Sequence, residues 1–162
     1  MPLRGRDVPH PGRTPAAGLL FVNDEGTECG GLVWSGTGGD ASVHLSFDSY
    51  EQNDALILTH ADEAGARRSA IEFVDRPSWS LVDLVAELAA AADDAERAAI
   101  SARYADGGNA SRMRLAKEAD GSVLLALRDS EGRDRVRLVV GADDLPRVEL
   151  LDAASRVVRS LD

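Results

Sequence analysis

Residues 127–132 read Leu127-Arg128-Asp129-Ser130-Glu131-Gly132, and residues 21–26 repeat the pattern as Phe21-Val22-Asn23-Asp24-Glu25-Gly26. The shared order is apolar, any, Asn or Asp, any, Glu, Gly. Leu150-Leu151-Asp152-Ala153-Ala154-Ser155 repeats it with Ser last, and Leu58 to Gly65 is a longer echo. Asn or Asp at the first turn position accepts a hydrogen bond from the backbone two residues on. Gly at the fourth takes the left-handed conformation of a type I turn closed by a G1 bulge. Each copy therefore predicts a β-hairpin.

Period-two apolar patterns flank these turns. Val123, Leu125 and Leu127 form one strand face, and Val136, Leu138 and Val140 the next. Met113 and Leu115, Val148 and Leu150, and Val157 complete a second β region over 111–161, punctuated at Asp120-Gly121 and Gly141 to Asp144. A first β region over 18–75 holds Leu19 to Val22, Cys29 to Trp34, Val43-Leu45-Phe47, Leu56 to Thr59 and Arg67 to Val74. Between the two regions the period changes. Ser80 is an N-cap with Asp83 at N3, and Leu81, Leu84 and Leu88 follow helical spacing. Asp93-Asp94-Ala95-Glu96 marks a break or a second helix start, and Asp106-Gly107-Gly108 ends the segment. The expected fold is mainly β: an antiparallel meander forming a barrel or sandwich, with one central helical segment at about 80–105.

The chain has 162 residues, which fits one domain, here 17–162 after a Pro-rich tail over 1–16 that is expected to be loosely held. It carries 28 acidic against 18 basic residues, a net charge of -10, which argues against nucleic acid as a partner. The single cysteine, Cys29, excludes an intrachain disulfide and fits a reducing compartment. No segment reads as a secretory signal or reaches membrane-spanning length, so a cytoplasmic protein is expected, with no membrane partner. The abundance of Ala, Arg, Asp and Gly suggests a high-GC bacterial genome.

Asp24, Glu25 and Glu28 have the ligand type of a hard cation but lack EF-hand spacing, and turn chemistry accounts for them. Behind them run Glu28-Cys29-Gly30-Gly31. Paired glycines in a strand mark a bulge or a close approach of backbone or ligand. With Trp34 this run is the candidate ligand or assembly surface. His44, Asp48, Tyr50, Glu51, His60 and Arg68 are the candidate catalytic residues: a His beside carboxylates has the groups of a general base. Two His with Glu51 or Asp48 would suit zinc or iron if His60 approached His44, but a solvated strand end accounts for these residues more simply. No metal and no cofactor are expected. The Walker, Rossmann, zinc-ribbon, HExxH and GxSxG patterns are absent, and Cys29 has no base. Arg128, Arg133, Arg135, Arg137 and Arg147 form a basic band, with Glu131, Asp134 and Glu149 as expected cross-strand mates.

The strings GLLFVNDEGTECGGLVWSG, LSFDSYEQNDAL, RRSAIEFVDRP and LRDSEGRDRVRLVVGADDLPRVELLDA together resemble a family of uncharacterised bacterial β-rich proteins. That family carries LxNDxGxExGGL, FDxYxQD, DRP and an LxDxxGRxRxRLxV tail in the same order. The resemblance spans most of residues 18–158 and implies no assigned activity, so no site residue is carried over. The chain departs from the pattern at Leu145-Pro146 and at Asn53. Two functions are expected in rank order. The first is a non-enzymatic, homo-oligomeric binding or assembly protein, a dimer or trimer, with a small hydrophobic molecule as an alternative partner. The second is a small-molecule isomerase, cyclase or lyase working in a barrel cavity, in bacterial secondary metabolism.

Overall fold

The computed structural model describes residues 16–105 and 109–161. The Pro-rich tail, except for Ala16, and the expected helix stop at residues 106–108 lie outside them. The strands are β1 (Ala16–Val22), β2 (Glu28–Ser35), β3 (Ala41–Asp48), β4 (Asp54–Glu63), β5 (Ala66–Asp75), β6 (Ala110–Lys117), β7 (Val123–Arg128), β8 (Asp134–Val140), β9 (Pro146–Leu151) and β10 (Val157–Leu161). Each pairs antiparallel with the next, so the chain is one ten-stranded meander. The sheet does not close on itself. β1 and β10 remain its edges, and the described strands enclose no barrel lumen.

The hairpin reading holds, and more widely than the repeat suggested. In the turns at Asn23, Asp129 and Asp152 the first residue accepts the amide of the fourth at 3.0 Å, and that fourth residue is left-handed. The side chains do what the pattern requires: Asn23 Oδ1 accepts from Glu25 N and Thr27 N, and Asp129 Oδ1 from Glu131 N and Arg133 N. Turns starting at Glu118 and Gly141 share the backbone form without the motif. The echo at Leu58 to Gly65 does not. There Ala64 (φ 52°) and Gly65 (φ 86°) make a two-residue turn between Glu63 and Ala66, a type I′ geometry.

The helical segment is two helices, α1 (Leu81–Ala90) and α2 (Asp94–Ala105), broken where the acidic run stands. Ser80 caps α1 by accepting from Asp83 N at 3.1 Å, and Asp93 accepts from Glu96 N at 2.9 Å to start α2. The helices pack on each other, with Tyr104 Oη donating to Glu87 and meeting Trp79 edge-on at 5.1 Å. They are moored at the β3–β4 turn. Leu81 N donates to the Glu51 carbonyl at 2.8 Å, and the buried Gln52 amide donates to the Trp79 carbonyl.

Alternation gives the sheet two unlike faces. On one, a cross-strand row reads Glu72-Arg114-Ala126-Arg137-Glu149. Arg114 binds Glu72 at 3.1 Å and Arg137 binds Glu149 at 2.7 Å, and these long side chains close over Ala126, which is 0% exposed. Of the expected mates, Asp134 and Glu149 are met across strands, Arg128 reaching Asp134 at 2.7 Å, whereas Arg133 with Glu131 at 2.7 Å and Arg147 with Asp143 pair within their own turns. This is a solvent face made of ion pairs over small residues.

The opposite face is apolar from edge to edge. One row reads Leu19-Leu32-Leu45-Leu58-Ile71-Leu115-Leu125-Leu138-Val148-Leu161. Its neighbour reads Phe21-Gly30-Phe47-Leu56-Phe73-Met113-Leu127-Val136-Leu150. No described element covers these rows: Phe47 is 46% exposed, Leu115 43% and Leu138 46%. No large side chain in the described residues is fully buried. Domains are ordinarily built from two packed layers, and the described residues supply one sheet with no second layer over this face.

Candidate functional site

Two clusters stand out, one on each face. The first grows from the β3–β4 turn, where the sequence placed most of its candidates. His44, Ser46 and Asp48 project from the ionic face, and the turn returns Asp54 beside them. His44 Nε2 lies 3.5 Å from Asp54 Oδ2. Ser46 is buried, and Asp48 Oδ1 is inaccessible with no hydrogen-bond partner among the described residues. Burial, then the hydrogen bond and charge of Asp54, then the charge of Glu28 push the Asp48 carboxyl up to about 6. A cleft of about 560 Å³ opens here, lined by Glu28, Asp48, Glu51 and Asp54 and, from α1, Leu81, Val82 and Val85. Tyr50 donates to Glu25 Oε2 at 2.9 Å across the cleft rim, and that carboxylate raises the phenol. Glu51 is left-handed (φ 50°) and serves α1 through its carbonyl. Arg68 stands apart, paired with Glu63 at 2.8 Å.

His60 does not join His44. The strands do pair, but His44 faces Thr59 and Val43 faces His60, so the two imidazoles project from opposite faces. One residue of register separates the expected metal pair from what is found. Among the described residues no group of three His, Cys, Asp or Glu side chains is arranged to hold a metal ion.

The Gly30-Gly31 run has a backbone explanation. Cys29 is the extra residue of a β-bulge, between the pairs Phe21–Gly30 and Val22–Glu28. Its thiol is exposed and contacts the Phe21 carbonyl at 3.3 Å. A Cβ on Gly30 (φ 137°) would sit 2.3 Å from the Ser46 carbonyl oxygen, and one on Gly31 2.9 Å from that of Leu19. With no side chain at Gly30, Phe21 and Phe47 meet over it at 6.5 Å.

The second cluster lies on the apolar face, in the row Trp34-Val43-His60-Ser69-Lys117-Val123. His60 Nδ1 and Ser69 Oγ are 2.8 Å apart, and Lys117 faces Ser69 on the next strand. These three polar residues border a trough of about 600 Å³ whose floor is Leu32, Leu45, Leu58, Ile71 and Leu115. Sequence reading found His60 and Trp34 but passed over Ser69 and Lys117. The signal was present: Ser69 continues the alternation of Ile71 and Phe73, and Lys117 that of Met113 and Leu115. Lys117 is also the one lysine among 18 basic residues.

The comparisons add no identity: no protein-family model matches the chain, and no curated protein matches it in sequence.

Proposed function

We propose that this is a non-enzymatic assembly and binding protein whose apolar face is closed by a second copy of the chain. The carrying observation is the bare face itself. Thirteen of its large apolar residues are exposed, which leaves on the order of 1,000 Å² of contiguous apolar surface. The largest patch on a typical monomer is about 300–600 Å². A standard interface takes about 800 Å² from each partner. Two such faces at a spacing of about 10 Å make a β-sandwich of two sheets, in which the Leu and Val rows of the two copies pack on each other. A two-fold pairing uses the same patch twice.

Leu115, in a central strand of the face, gives the test. Leu115→Glu places a charge in the shared core and yields single chains by size exclusion with light scattering, while its circular dichroism stays that of the wild type. Thr59→Glu, on the ionic face, leaves the assembly intact. Assembly that persists in Leu115→Glu would contradict the reading.

An isomerase, cyclase or lyase remains the second reading, now at the β3–β4 cleft rather than in a barrel. What favours it is Asp48: a carboxyl titrating near 6 beside Asp54, which His44 approaches at 3.5 Å, is suited to proton transfer. An activity abolished by Asp48→Asn and indifferent to Leu115→Glu would support it over assembly.

A further inference from the structure

We propose that the trough on the apolar face binds a long-chain aliphatic carboxylate, its head group at His60, Ser69 and Lys117 and its tail along Leu58, Leu45 and Leu32. This inference names a ligand for the face proposed above and rests on that face being a binding surface.

Lys117 is the exception among the cations of the chain. Of 18 basic residues all but one are arginine. On the ionic face the guanidinium groups are locked to carboxylates, as Arg114 is to Glu72 and Arg137 to Glu149. Lys117 projects from the other face and forms no ion pair with a described residue. An ammonium is a compact, strongly hydrated charge, and covering it without a counter-ion is strongly unfavourable. Whatever closes this part of the face must therefore bring an anion. The carboxylate one step along the strand from His60, Asp62, is already engaged, by Arg67 at 2.6 Å and by Gly65 N at 3.1 Å.

The neighbours fit a carboxylate head. The His60–Ser69 pair, 2.8 Å apart, spends one hydrogen on its own bond and leaves a second, on the hydroxyl or on Nε2 according to the tautomer, next to Lys117 in the cross-strand row. Together they offer donors to both oxygens of a carboxylate. From that row inward the trough is aliphatic, and its volume of about 600 Å³ lies within the range of small-molecule sites. A single head charge at the rim and an apolar floor describe a monocarboxylate with a hydrocarbon tail.

Dodecanoate is the probe, titrated into the full-length chain by calorimetry, with decanoate and dodecanol as comparisons. Because the chain has one lysine, the side-chain methylene signals of Lys117 can be read alone by NMR after lysine-specific ¹³C labelling. Dodecanoate is expected to bind and to shift those signals. Decanoate, two methylene groups shorter, is expected to bind on the order of tenfold more weakly. Dodecanol, and dodecanoate on Lys117→Gln, should each lose at least about tenfold, with Lys117→Arg recovering most of it. Equal affinity for dodecanol and dodecanoate, unaltered binding by Lys117→Gln, or no binding of dodecanoate would each overturn the proposal. The mass of the protein, measured in the same samples, separates the two claims. An assembled protein that ignores dodecanoate overturns the ligand alone. Single chains that bind it overturn the closure by a second copy alone.

Discussion

Asp48→Asn should stabilise the folded chain at neutral pH and leave it unchanged at pH 4. The Asp48 carboxyl titrates near 6 in the folded chain against an ordinary 3.8, so between those values the folded state holds a proton that the unfolded state has released. Stability from this group is then complete below 3.8 and is lost as pH rises through about 6. A difference of about two pH units corresponds to about 3 kcal/mol at about 1.4 kcal/mol each. Asp48 is only half-buried, so solvent screening brings the realised figure to about 1–2 kcal/mol. Asparagine keeps the shape, removes the charge and offers Asp54 a donor. Urea unfolding followed by tryptophan fluorescence, at one protein concentration and several pH values, gives the difference between variant and wild type. That difference should be near zero at pH 4 and about 1–2 kcal/mol in favour of the variant at pH 7.5. A variant that is less stable at both pH values, or a difference independent of pH, would refute the account of this cleft. Asp54→Asn should act through the same charge and flatten the wild-type fall between pH 4 and 6.

The remaining predictions concern the elements that shape the sheet. Gly30→Ala should cost about 3 kcal/mol or more in urea unfolding, because its Cβ would meet the Ser46 carbonyl in a strained backbone. Gly26→Ala, left-handed but with nothing within 4 Å of a Cβ, should cost only about 1 kcal/mol. Gln52→Ala should cost about 1–2 kcal/mol, since it removes the buried amide that holds the strand-to-helix corner at Trp79. Asp129→Ala should lower the urea midpoint at pH 7 and still do so at pH 4. Burial alone would raise that carboxyl, but Arg133 and the amides of Arg133 and Glu131 hold it at about 2. Its contribution is therefore present above the ordinary 3.8 and fades only toward about 2.

The meander was legible because its information is local. Asn23, Asp129 and Asp152 carry their turn geometry in their own side chains, and strict alternation assigns Val123-Leu125-Leu127 to one face. The break between α1 and α2 was readable in Asp93 and Glu96, which form a cap. The separation of His44 from His60 was not readable, since it depends on a single residue of register that no turn motif in that loop announces. The closure of the sheet was equally hidden. Alternation shows that one face is apolar, but not whether the same chain folds back to cover it. Asp48 drew notice as one carboxylate among several. Its raised pKa comes first from burial and then from Asp54 and Glu28, which the turn and the bulge at Cys29 bring near it.

Sedimentation equilibrium of the wild-type chain at micromolar concentration bears most directly on the central claim that the apolar face is an interface between copies. The account predicts a mass of twice the single chain, reduced to one chain by Leu115→Glu. A single-chain mass for the wild type throughout that range would contradict it.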